Sequence, residues 1–373
     1  MKKVINHLYI HYPFCTSRCG YCSFYTEAFS WARQTEYLKL LQVEINSYVY
    51  NSRYDLQLDT IYFGGGTPSL LSSGYTSVLT SIISEKNKEC EITLECNPIT
   101  MTEAYIKVLK LSGVNRLSIG IQSMNEKNLK YLGRRHSPKQ VIDVVSKLRK
   151  KKYNNISGDL IYGIPHQTLA DVEKDIEEFI KLGLDHISIY CLSLDDDAPL
   201  AKDKKLIPKD EIVADMYQLI CHKLREVGFE QYEISNFAKK NKYSRHNLAY
   251  WQQKDYLGLG PGAYRTLGDS RCHNGEYAQW KDAIEFGRDC PNKEDLSKKD
   301  LLNEYIMLQL RLNRGLDLEE LNLKYGFKIW DEKKNILRKF IDTGYLEENQ
   351  KRLCLTDKSR FISNYVISEL MEE

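Results

Sequence analysis

Residues 8–24 read LYIHYPFCTSRCGYCSF, and this stretch decides the fold because it joins a short apolar strand to three closely spaced cysteines. Cys15, Cys19 and Cys22 follow the pattern C-x3-C-x2-C at the end of the predicted strand 8–14. A loop this short can direct three thiolates at a common centre, and thiolates are the usual ligands of iron–sulfur clusters. The pattern therefore predicts that these three cysteines bind a [4Fe–4S] cluster.

Three cysteines leave one iron atom of such a cluster without a protein ligand. An open coordination position separates catalytic from structural metal sites, and in radical SAM chemistry that iron binds the amino and carboxylate groups of S-adenosylmethionine (SAM). Electron transfer from the cluster then cleaves a C–S bond of SAM, which is the chemistry of the cofactor itself. Two alternatives stay open. One is a structural zinc site, for which His11 is the nearest fourth ligand although it lies in the strand, and the other is a set of unrelated core cysteines.

From residue 8 to about 226 the chain alternates short apolar runs with stretches of helical periodicity. Continuous apolar strands separated by helices predict a parallel sheet with helices on its outer side. Right-handed crossovers make six such units an open, partial (β/α)6 barrel of the α/β class. A doubly wound sheet fits the same pattern, but polar residues recur near the strand ends, where barrel active sites lie. The predicted strands are 8–14, 60–66, 91–97, 116–122, 157–163 and 186–194, and the predicted helices lie near 31–49, 74–84, 102–112, 138–151, 170–182 and 210–226.

The rest of the chain changes character twice. Aromatics and glycine are frequent after the barrel, and the run LGLGPGAY (257–264) has neither dinucleotide nor P-loop spacing, so we interpret it as a turn. Helical patterning then returns, followed by a polar turn between two short strands and a last helix at 356–371. Three helices with a late hairpin resemble a winged-helix-like, mostly helical domain, and a plain packing domain is the alternative. The expected parts are the partial barrel (1–235), a connecting segment (236–300) and the C-terminal domain (301–373).

Composition limits the classes of function. Hydrophobic residues make up 42% and charged residues 28%, as in ordinary globular proteins. The formal net charge of +2 gives no case for a nucleic-acid partner. No apolar run approaches the roughly 20 residues of a membrane span, and from the N-terminal residues we expect no secretion signal. We expect a cytoplasmic protein that is not an integral membrane protein, in which the other seven of the ten cysteines are ordinary buried thiols.

Polar residues at the ends of the later strands are expected to face the cysteine loop. The second strand ends in a glycine triplet, Gly64–Gly66, followed by Thr67, and glycines permit close backbone approach to a ligand. Glu95, Gln122 and Asp159 occupy comparable places on the next three strands, and Arg134 lies in the loop after Gln122. Any one of them could be structural, but together they predict a polar ring around a binding site.

Eight stretches carry a family resemblance: LYIHYPFCTSRCGYCSF, FGGGTPS, ECNP, NRLSIGIQS, LGRRHS, DLIYGIPHQT, YEISNFA and HNLAYW. Together they resemble the HemW-type haem chaperones, radical SAM proteins related to oxygen-independent coproporphyrinogen III oxidase (HemN), from about residue 5 to 370. The resemblance implies that Cys15, Cys19 and Cys22 hold the cluster. It also implies that the C-terminal domain closes or flanks the barrel opening. The SAM contacts that it implies are Tyr9, Tyr21, Gly65, Gly66, Thr67, Glu95, Gln122, Arg134 and Asp159.

One position separates the two relatives. The oxidase resembles C-x3-C-x2-C-x-C, and here Phe24 stands where its fourth cysteine would be. The expected function is therefore that of a chaperone that binds haem and delivers it to a haem-requiring membrane or respiratory protein. Oxidative decarboxylation of coproporphyrinogen is the alternative, and a binding module with a structural cluster is a third hypothesis.

His246 in HNLAYW is the first candidate for a haem contact, because imidazole is a common axial ligand. Tyr250 and Trp251 could pack on a porphyrin face. The alternative is that His246 bonds locally and that the aromatic rings belong to the core. Arg271-Cys272-His273 is a second candidate, and the absence of a C-x-x-C-H pattern predicts non-covalent binding.

Overall fold

A computed structural model describes residues 2–71, 86–288 and 290–372 and confirms the predicted α/β fold. The predicted helix at 74–84 lies outside the described residues, and the other five predicted barrel helices begin and end within about two residues of their predicted bounds. The strands up to residue 259 are β1 (Lys3–Tyr12), β2 (Phe14–Cys15), β3 (Glu27–Ala28), β4 (Tyr54–Gly65), β5 (Lys86–Cys96), β6 (Arg116–Gln122), β7 (Ile156–Tyr162), β8 (His186–Cys191), β9 (Glu230–Gln231), β10 (Asn236–Ala238) and β11 (Leu257–Leu259). The helices of this part are α1 (Trp31–Val49), α2 (Glu103–Leu111), α3 (Glu126–Tyr131), α4 (Pro138–Lys150), α5 (Leu169–Lys181), α6 (Asp210–Glu226) and α7 (Arg245–Trp251), with 3-10 turns at Pro68–Leu70, Pro98–Thr100 and Ala201–Leu206.

The main sheet has the strand order β11-β1-β4-β5-β6-β7-β8-β10-β9 among the described residues. The six predicted strands, β1 and β4 to β8, are parallel and lie side by side in the order of the chain. A doubly wound sheet reverses its strand order at a switch point, so that alternative is wrong. The sheet remains open, with β11 at one edge and β9 at the other, as a partial barrel requires.

The barrel strands have one apolar face and one polar face. On the outer face, residues such as Ile92, Leu94 and Ile119 pack into one buried core together with the inner sides of the helices. The opposite face carries polar residues that are just as deeply buried: Thr60, Thr93, Arg116, Ser157 and His186. The sequence pattern predicted continuous apolar strands, and the observed alternation shows instead that the barrel interior is a polar chamber.

The connecting segment supplies part of the barrel sheet. Leu257–Leu259 pairs in parallel with β1, so the interpretation of 257–264 as a turn is wrong for its first three residues. The turn itself is confined to the residues around Gly260 and Gly262, both of which have positive φ angles. The elements of the connecting segment that follow this turn are β12 (Tyr264–Leu267), β13 (Ser270–His273), α8 (Tyr277–Glu285) and β14 (Asn292–Asp295). The three strands among them form a separate antiparallel sheet.

The prediction that the other seven cysteines are ordinary buried thiols is wrong for two cysteines of this segment. Cys272 on β13 and Cys290 before β14 form a disulfide, with Cα atoms 6.3 Å apart. Cys191 differs as well, because it is a free thiol that is exposed. The antiparallel pairing of β13 with β14 brings together two cysteines that stand 18 residues apart in sequence.

The C-terminal part has its own hydrophobic core, formed by residues between Leu302 and Leu370. Helices surround a small antiparallel sheet, the arrangement expected for a winged-helix-like unit, and the predicted hairpin is present. The division at 235 and 300 stays a prediction. The elements are α9 (Lys298–Arg311), β15 (Leu316–Asp317), α10 (Leu318–Tyr325), α11 (Ile329–Glu332), α12 (Lys334–Asp342), β16 (Leu346–Asn349), β17 (Arg352–Leu355) and α13 (Ser363–Leu370).

Candidate functional site

The cysteine loop lies between β2 and β3 and is fixed by backbone hydrogen bonds on both sides. The Gly20 N–H donates to the Leu132 carbonyl (3.1 Å), and the Leu200 N–H donates to the Gly20 carbonyl (2.8 Å). A Cβ atom on Gly20 would lie 2.6 Å from the Leu200 side chain, so the loop packs closely at this point. The Phe29 N–H donates to the Cys15 carbonyl (3.0 Å) and holds the other end.

The three thiols of the loop have defined polar neighbours. The Cys15 sulfur lies 3.3 Å from the Thr67 hydroxyl, and Arg134 Nη1 donates to the Cys19 sulfur at 3.5 Å. Burial raises the pKa of Cys15 to about 11, and the neighbouring thiols of Cys22 and Cys19 add to the shift. Burial also raises the pKa of Cys22. Cys15 and Cys22 therefore hold their protons until a metal displaces them.

The donor set suits a cluster whose irons each take one thiolate. Among residues 2–71, 86–288 and 290–372, no three His, Cys, Asp or Glu side chains are grouped so that they could hold one metal ion. In a [4Fe–4S] cluster each cysteine binds a different iron atom, so the three thiolates need not meet at one point. The assignment of Cys15, Cys19 and Cys22 to a cluster stays a prediction that this geometry allows.

The glycine-rich end of β4 runs directly beneath the loop. Gly65 has a φ of 106°, and a Cβ atom there would lie 2.7 Å from the His11 ring. A Cβ atom on Gly66 would lie 2.8 Å from the Phe14 carbonyl oxygen. The Gly66 and Thr67 amides donate to the backbone of the first strand and the loop (2.7 and 2.9 Å). Only glycine allows this close approach, which leaves backbone polar groups beside the cysteines.

Two carboxylates of the predicted ring lie inside the barrel. Glu95 accepts hydrogen bonds from the Tyr62 hydroxyl (2.8 Å) and from the Gly65 N–H (3.2 Å). Burial raises the pKa of Glu95 to about 7. Asp159 accepts from the Ser118 hydroxyl (3.3 Å), and burial raises its pKa too. Burial disfavours the ionised form of both carboxyl groups. A cationic ligand bound beside them would stabilise that ionised form.

Gln122 and Arg134 have polar atoms that the described part of the protein leaves unpaired. Gln122 is buried, adopts a left-handed φ of 65°, and its Oε1 atom has no partner there. Arg134 donates from Nη2 to the Gly120 carbonyl (2.6 Å). Its buried Nε atom has no hydrogen-bond partner among the described residues. Buried polar atoms are normally hydrogen-bonded, so these two atoms fit a site that a polar ligand completes, and SAM is such a ligand.

The two tyrosines implied by the resemblance lie at different sides of this site. The Tyr9 hydroxyl lies 3.2 Å from His11 Nδ1, and its ring is stacked 6.0 Å from that of Tyr62. Tyr21 packs against a small apolar cluster that contains Leu132. Burial raises the pKa of Tyr21, and the nearby positive charge of Arg134 partly offsets this effect. Both positions border the chamber, and their contact with SAM stays a prediction.

His246 is enclosed by bonding partners. It is 1% exposed, its Nδ1 lies 2.7 Å from the Thr60 hydroxyl, and its Nε2 lies 2.8 Å from the Tyr250 hydroxyl. Its ring stacks on Tyr62 at 5.1 Å. Burial lowers the pKa of His246 well below its usual value. In this arrangement neither nitrogen is free for iron, so the geometry favours the alternative of local bonding.

The second haem candidate is also engaged. The Arg271 guanidinium forms an ion pair with Glu304, and Cys272 is in the disulfide. His273 stacks on Tyr264, with ring centroids 4.4 Å apart. These three residues are adjacent in sequence, and each has a different structural role.

Arg116 is a residue of the chamber that the sequence analysis missed. It is 1% exposed, and its positive charge lowers the pKa values of Glu95 and Asp159 against the larger effect of burial. The signal in the sequence is the alternation along RLSIGIQ, which places Arg116, Ser118 and Gln122 on the same face of β6.

Comparisons with known proteins find similar sequences over nearly the whole chain. The model of the radical SAM superfamily matches residues 9–179, and the model of the HemN C-terminal domain matches residues 296–362. The chain is 34% identical to the heme chaperone HemW of Lactococcus lactis, over 98% of this chain and 97% of that protein. It is 32% identical to the heme chaperone HemW of Bacillus subtilis, over 98% and 99%.

A solved structure shows the same fold over nearly the whole chain. The coproporphyrinogen III oxidase (HemN) of Escherichia coli, described as a radical SAM enzyme, superposes with a TM-score of 0.85 over 99% of this chain and 90% of that one. The identity is 20%, so the likeness concerns the fold alone. None of the described helices is both long and apolar enough to span a membrane.

Proposed function

Since the chain belongs to the family of the HemW-type haem chaperones within the radical SAM superfamily, we propose that it binds haem, a [4Fe–4S] cluster and SAM, and that it delivers the haem to a haem-requiring protein. We infer that it acts in the cytoplasm and that its acceptor is a membrane or respiratory protein. The observation that carries the proposal is the similarity to named heme chaperones over 98% of the chain.

The strand-end site supports the cluster and SAM parts of the proposal. Cys15, Cys19 and Cys22 would hold the cluster, which supplies the electron for SAM cleavage when it is bound. The Thr67 hydroxyl would orient the Cys15 sulfur, 3.3 Å away. Gly65 and Gly66 would receive the amino-acid part of SAM through their backbone groups.

The remaining SAM contacts follow from charge and from unpaired atoms. Glu95 and Asp159 are acidic groups in a buried chamber, and SAM carries a sulfonium and an ammonium group that would complement them. The Oε1 atom of Gln122 and the Nε atom of Arg134 would gain partners. Tyr9 and Tyr21 would form the walls on either side.

Anaerobic reconstitution of the purified protein tests the whole proposal. We expect about four iron atoms per chain, an EPR spectrum that changes when SAM is added, and about one haem per chain in a titration. Zinc in place of iron, or a cluster whose spectrum SAM does not change, would contradict the cluster assignment. Protein with an intact cluster that binds no haem would contradict the chaperone function.

The oxidase function is the second candidate, and the shared fold with HemN is what favours it. It requires anaerobic turnover of coproporphyrinogen with a reductant and SAM. Phe24, at the place of the fourth cysteine, leads us to expect no turnover. The third hypothesis, a module with a structural cluster, would be supported by SAM binding without reductive cleavage.

A further inference from the structure

A cavity of about 790 Å³ opens between the connecting segment and the C-terminal helices. Its walls come from the end of α7 and the residues that follow it, from the β12–β13 hairpin, from α9, from the end of α10 and from Glu372 after α13. Sites for small molecules have volumes of roughly 300–1,000 Å³. None of the residues assigned to the cluster or to SAM lines this cavity, so it is a second place where a ligand could bind.

Aliphatic and aromatic side chains form part of the cavity lining. Leu301 and Leu308 on α9 contribute aliphatic surface. The rings of Tyr250 and Tyr256, which meet edge to face with centroids 4.6 Å apart, form one wall, and Tyr325 lies on the C-terminal side. Rings and aliphatic side chains around an open space suit a large flat apolar ligand.

Unpaired lysines surround this apolar surface. The ammonium groups of Lys254, Lys298 and Lys299 line the cavity and form no hydrogen bond or ion pair with any residue that the structure describes. The lining contains five basic residues and three acidic ones, and of the acidic ones Asp255 pairs with Lys3 (2.9 Å) and Glu304 pairs with Arg271, while the third is the exposed Glu372. The uncompensated charge at this cavity is therefore positive.

We propose that this cavity is the haem site, in which the porphyrin packs on the tyrosine and leucine walls and its propionates pair with Lys298 and Lys299. The proposal rests on the proposed function and adds the place and the contacts of the haem. A porphyrin combines a flat apolar body with two carboxylates at one edge, and the cavity lining combines aliphatic and aromatic side chains with lysines that have no partner among the described residues.

His246 takes part in this site through Tyr250. The Tyr250 hydroxyl lies 2.8 Å from His246 Nε2, and the His246 ring stacks on Tyr62, whose hydroxyl donates to Glu95 (2.8 Å). His246 is thus a positioning residue that holds a wall of the cavity, and it joins that wall to the SAM chamber through direct contacts.

Titration of the reconstituted protein with haemin, followed by Soret absorbance, tests the proposal with two cavity variants. Lys298→Glu/Lys299→Glu reverses two charges in the first turn of α9, where acidic residues are favourable, so the fold is retained. We expect haem affinity to fall roughly tenfold. Leu308→Trp fills the cavity, and we expect it to weaken binding at least as much.

Lys107→Glu/Lys139→Glu is the matched control, because it makes the same change in net charge at two exposed helical lysines away from the cavity. Its haem affinity should stay within about twofold of the wild type, since isolated surface charges contribute little. Protoporphyrin dimethyl ester, which lacks the two carboxylates, should bind more weakly than protoporphyrin to the wild type and equally weakly to the α9 double variant.

The outcomes separate the two proposals. A wild type that binds haem while both cavity variants keep its affinity would overturn the cavity and leave the chaperone function intact. An ester that binds the wild type as tightly as the free acid would overturn the pairing with Lys298 and Lys299. A wild type with an intact cluster that binds no haem would overturn the function on which the site rests.

Discussion

The strand-end chamber and the cavity beside the C-terminal domain hold charge in opposite ways. In the chamber, Glu95 and Asp159 are carboxyl groups whose pKa values burial raises, and Arg116 only partly offsets this effect. At the cavity, five basic residues line the wall against three acidic ones, and the basic ones include the exposed Lys298 and Lys299. The chamber is therefore suited to a cationic ligand and the cavity to an anionic one, as SAM and haem respectively are.

The two regions also differ in how strongly a single substitution should affect stability or ligand binding. Buried groups have few alternatives when a partner is removed, so a substitution in the chamber has a large effect. Exposed lysines are screened by water and ions, so the cavity depends on several weak contacts together. Substitutions in the chamber and at the contact between the two regions test this difference.

The largest effect is expected for Cys19→Ser. A serine oxygen is a poor ligand for iron–sulfur clusters, so the variant should retain less than about one iron atom per chain after anaerobic reconstitution. Cys191→Ser is the control, because Cys191 is a free and exposed thiol outside the loop. Iron analysis should show full occupancy for the control, and equal loss in both variants would contradict the assignment.

Haem titration of the same Cys19→Ser protein examines the separation of the two regions. If the cavity is the haem site, affinity should stay within about threefold of the wild type, because no cysteine of the loop lines the cavity. A loss of haem binding in parallel with the loss of iron would indicate that haem binds at the strand-end site. It would contradict the separation of the two ligands between the chamber and the cavity.

His246→Ala is expected to have the next largest effect, because His246 lies between the regions. The substitution removes the partner of the Tyr250 hydroxyl and leaves a buried gap, which should lower the free energy of unfolding by about 3 kcal/mol. Denaturant unfolding measures this, with the exposed His222→Ala as the control. Haem affinity should weaken by severalfold. A complete loss of the ferric Soret band in folded protein would instead identify His246 as the axial ligand.

Glu95→Gln should change the pH dependence of stability. The pKa of Glu95 rises from 4.5 to about 7 in the folded protein, so the folded state holds a proton that the unfolded state releases. Its stabilising contribution is complete below pH 4.5 and is lost as the pH rises through about 7. Between pH 5 and pH 8 the wild type should lose about 2 kcal/mol more than the variant.

Unfolding of Glu95→Gln is compared with that of Glu89→Gln, an exposed position on the same strand. The control should keep the slope of the wild type. Part of that slope will remain in both proteins, because burial also raises the pKa values of Glu44 and Glu233 to about 7. Identical slopes for both variants would show that Glu95 is ionised in the ligand-free chamber. Saturating SAM should stabilise the wild type more than Glu95→Gln.

The barrel and its cysteine loop could be predicted because their signals are local. Six apolar strands separated by segments of helical periodicity predict a parallel sheet. The spacing of Cys15, Cys19 and Cys22 can be read from eight consecutive residues. The polar chamber was also present in the sequence, since RLSIGIQ alternates polar and apolar residues, but the apolar members of the strands suggested a continuous core.

Pairings between distant segments could not be predicted. Leu257–Leu259 has only three residues and becomes a strand because β1 offers a free edge. Cys272 and Cys290 form a disulfide because β13 and β14 are neighbours. His246 occurs in a motif that suggested a ligand, and its bond to Thr60 depends on how α7 packs against β4.

The smallest effect is expected at Phe24, the position that separates the two relatives. Its side chain is 67% exposed beside the cysteine loop, so Phe24→Ala should change the free energy of unfolding by less than about 0.5 kcal/mol. Trp31→Ala, at a ring with 66% exposure, is the control for the loss of an exposed aromatic side chain. Both variants should reconstitute the same iron content as the wild type, and neither should convert coproporphyrinogen. Iron loss confined to Phe24→Ala would mean that the ring shields the cluster, and the strand-end chamber would then depend on an exposed residue, as the cavity does.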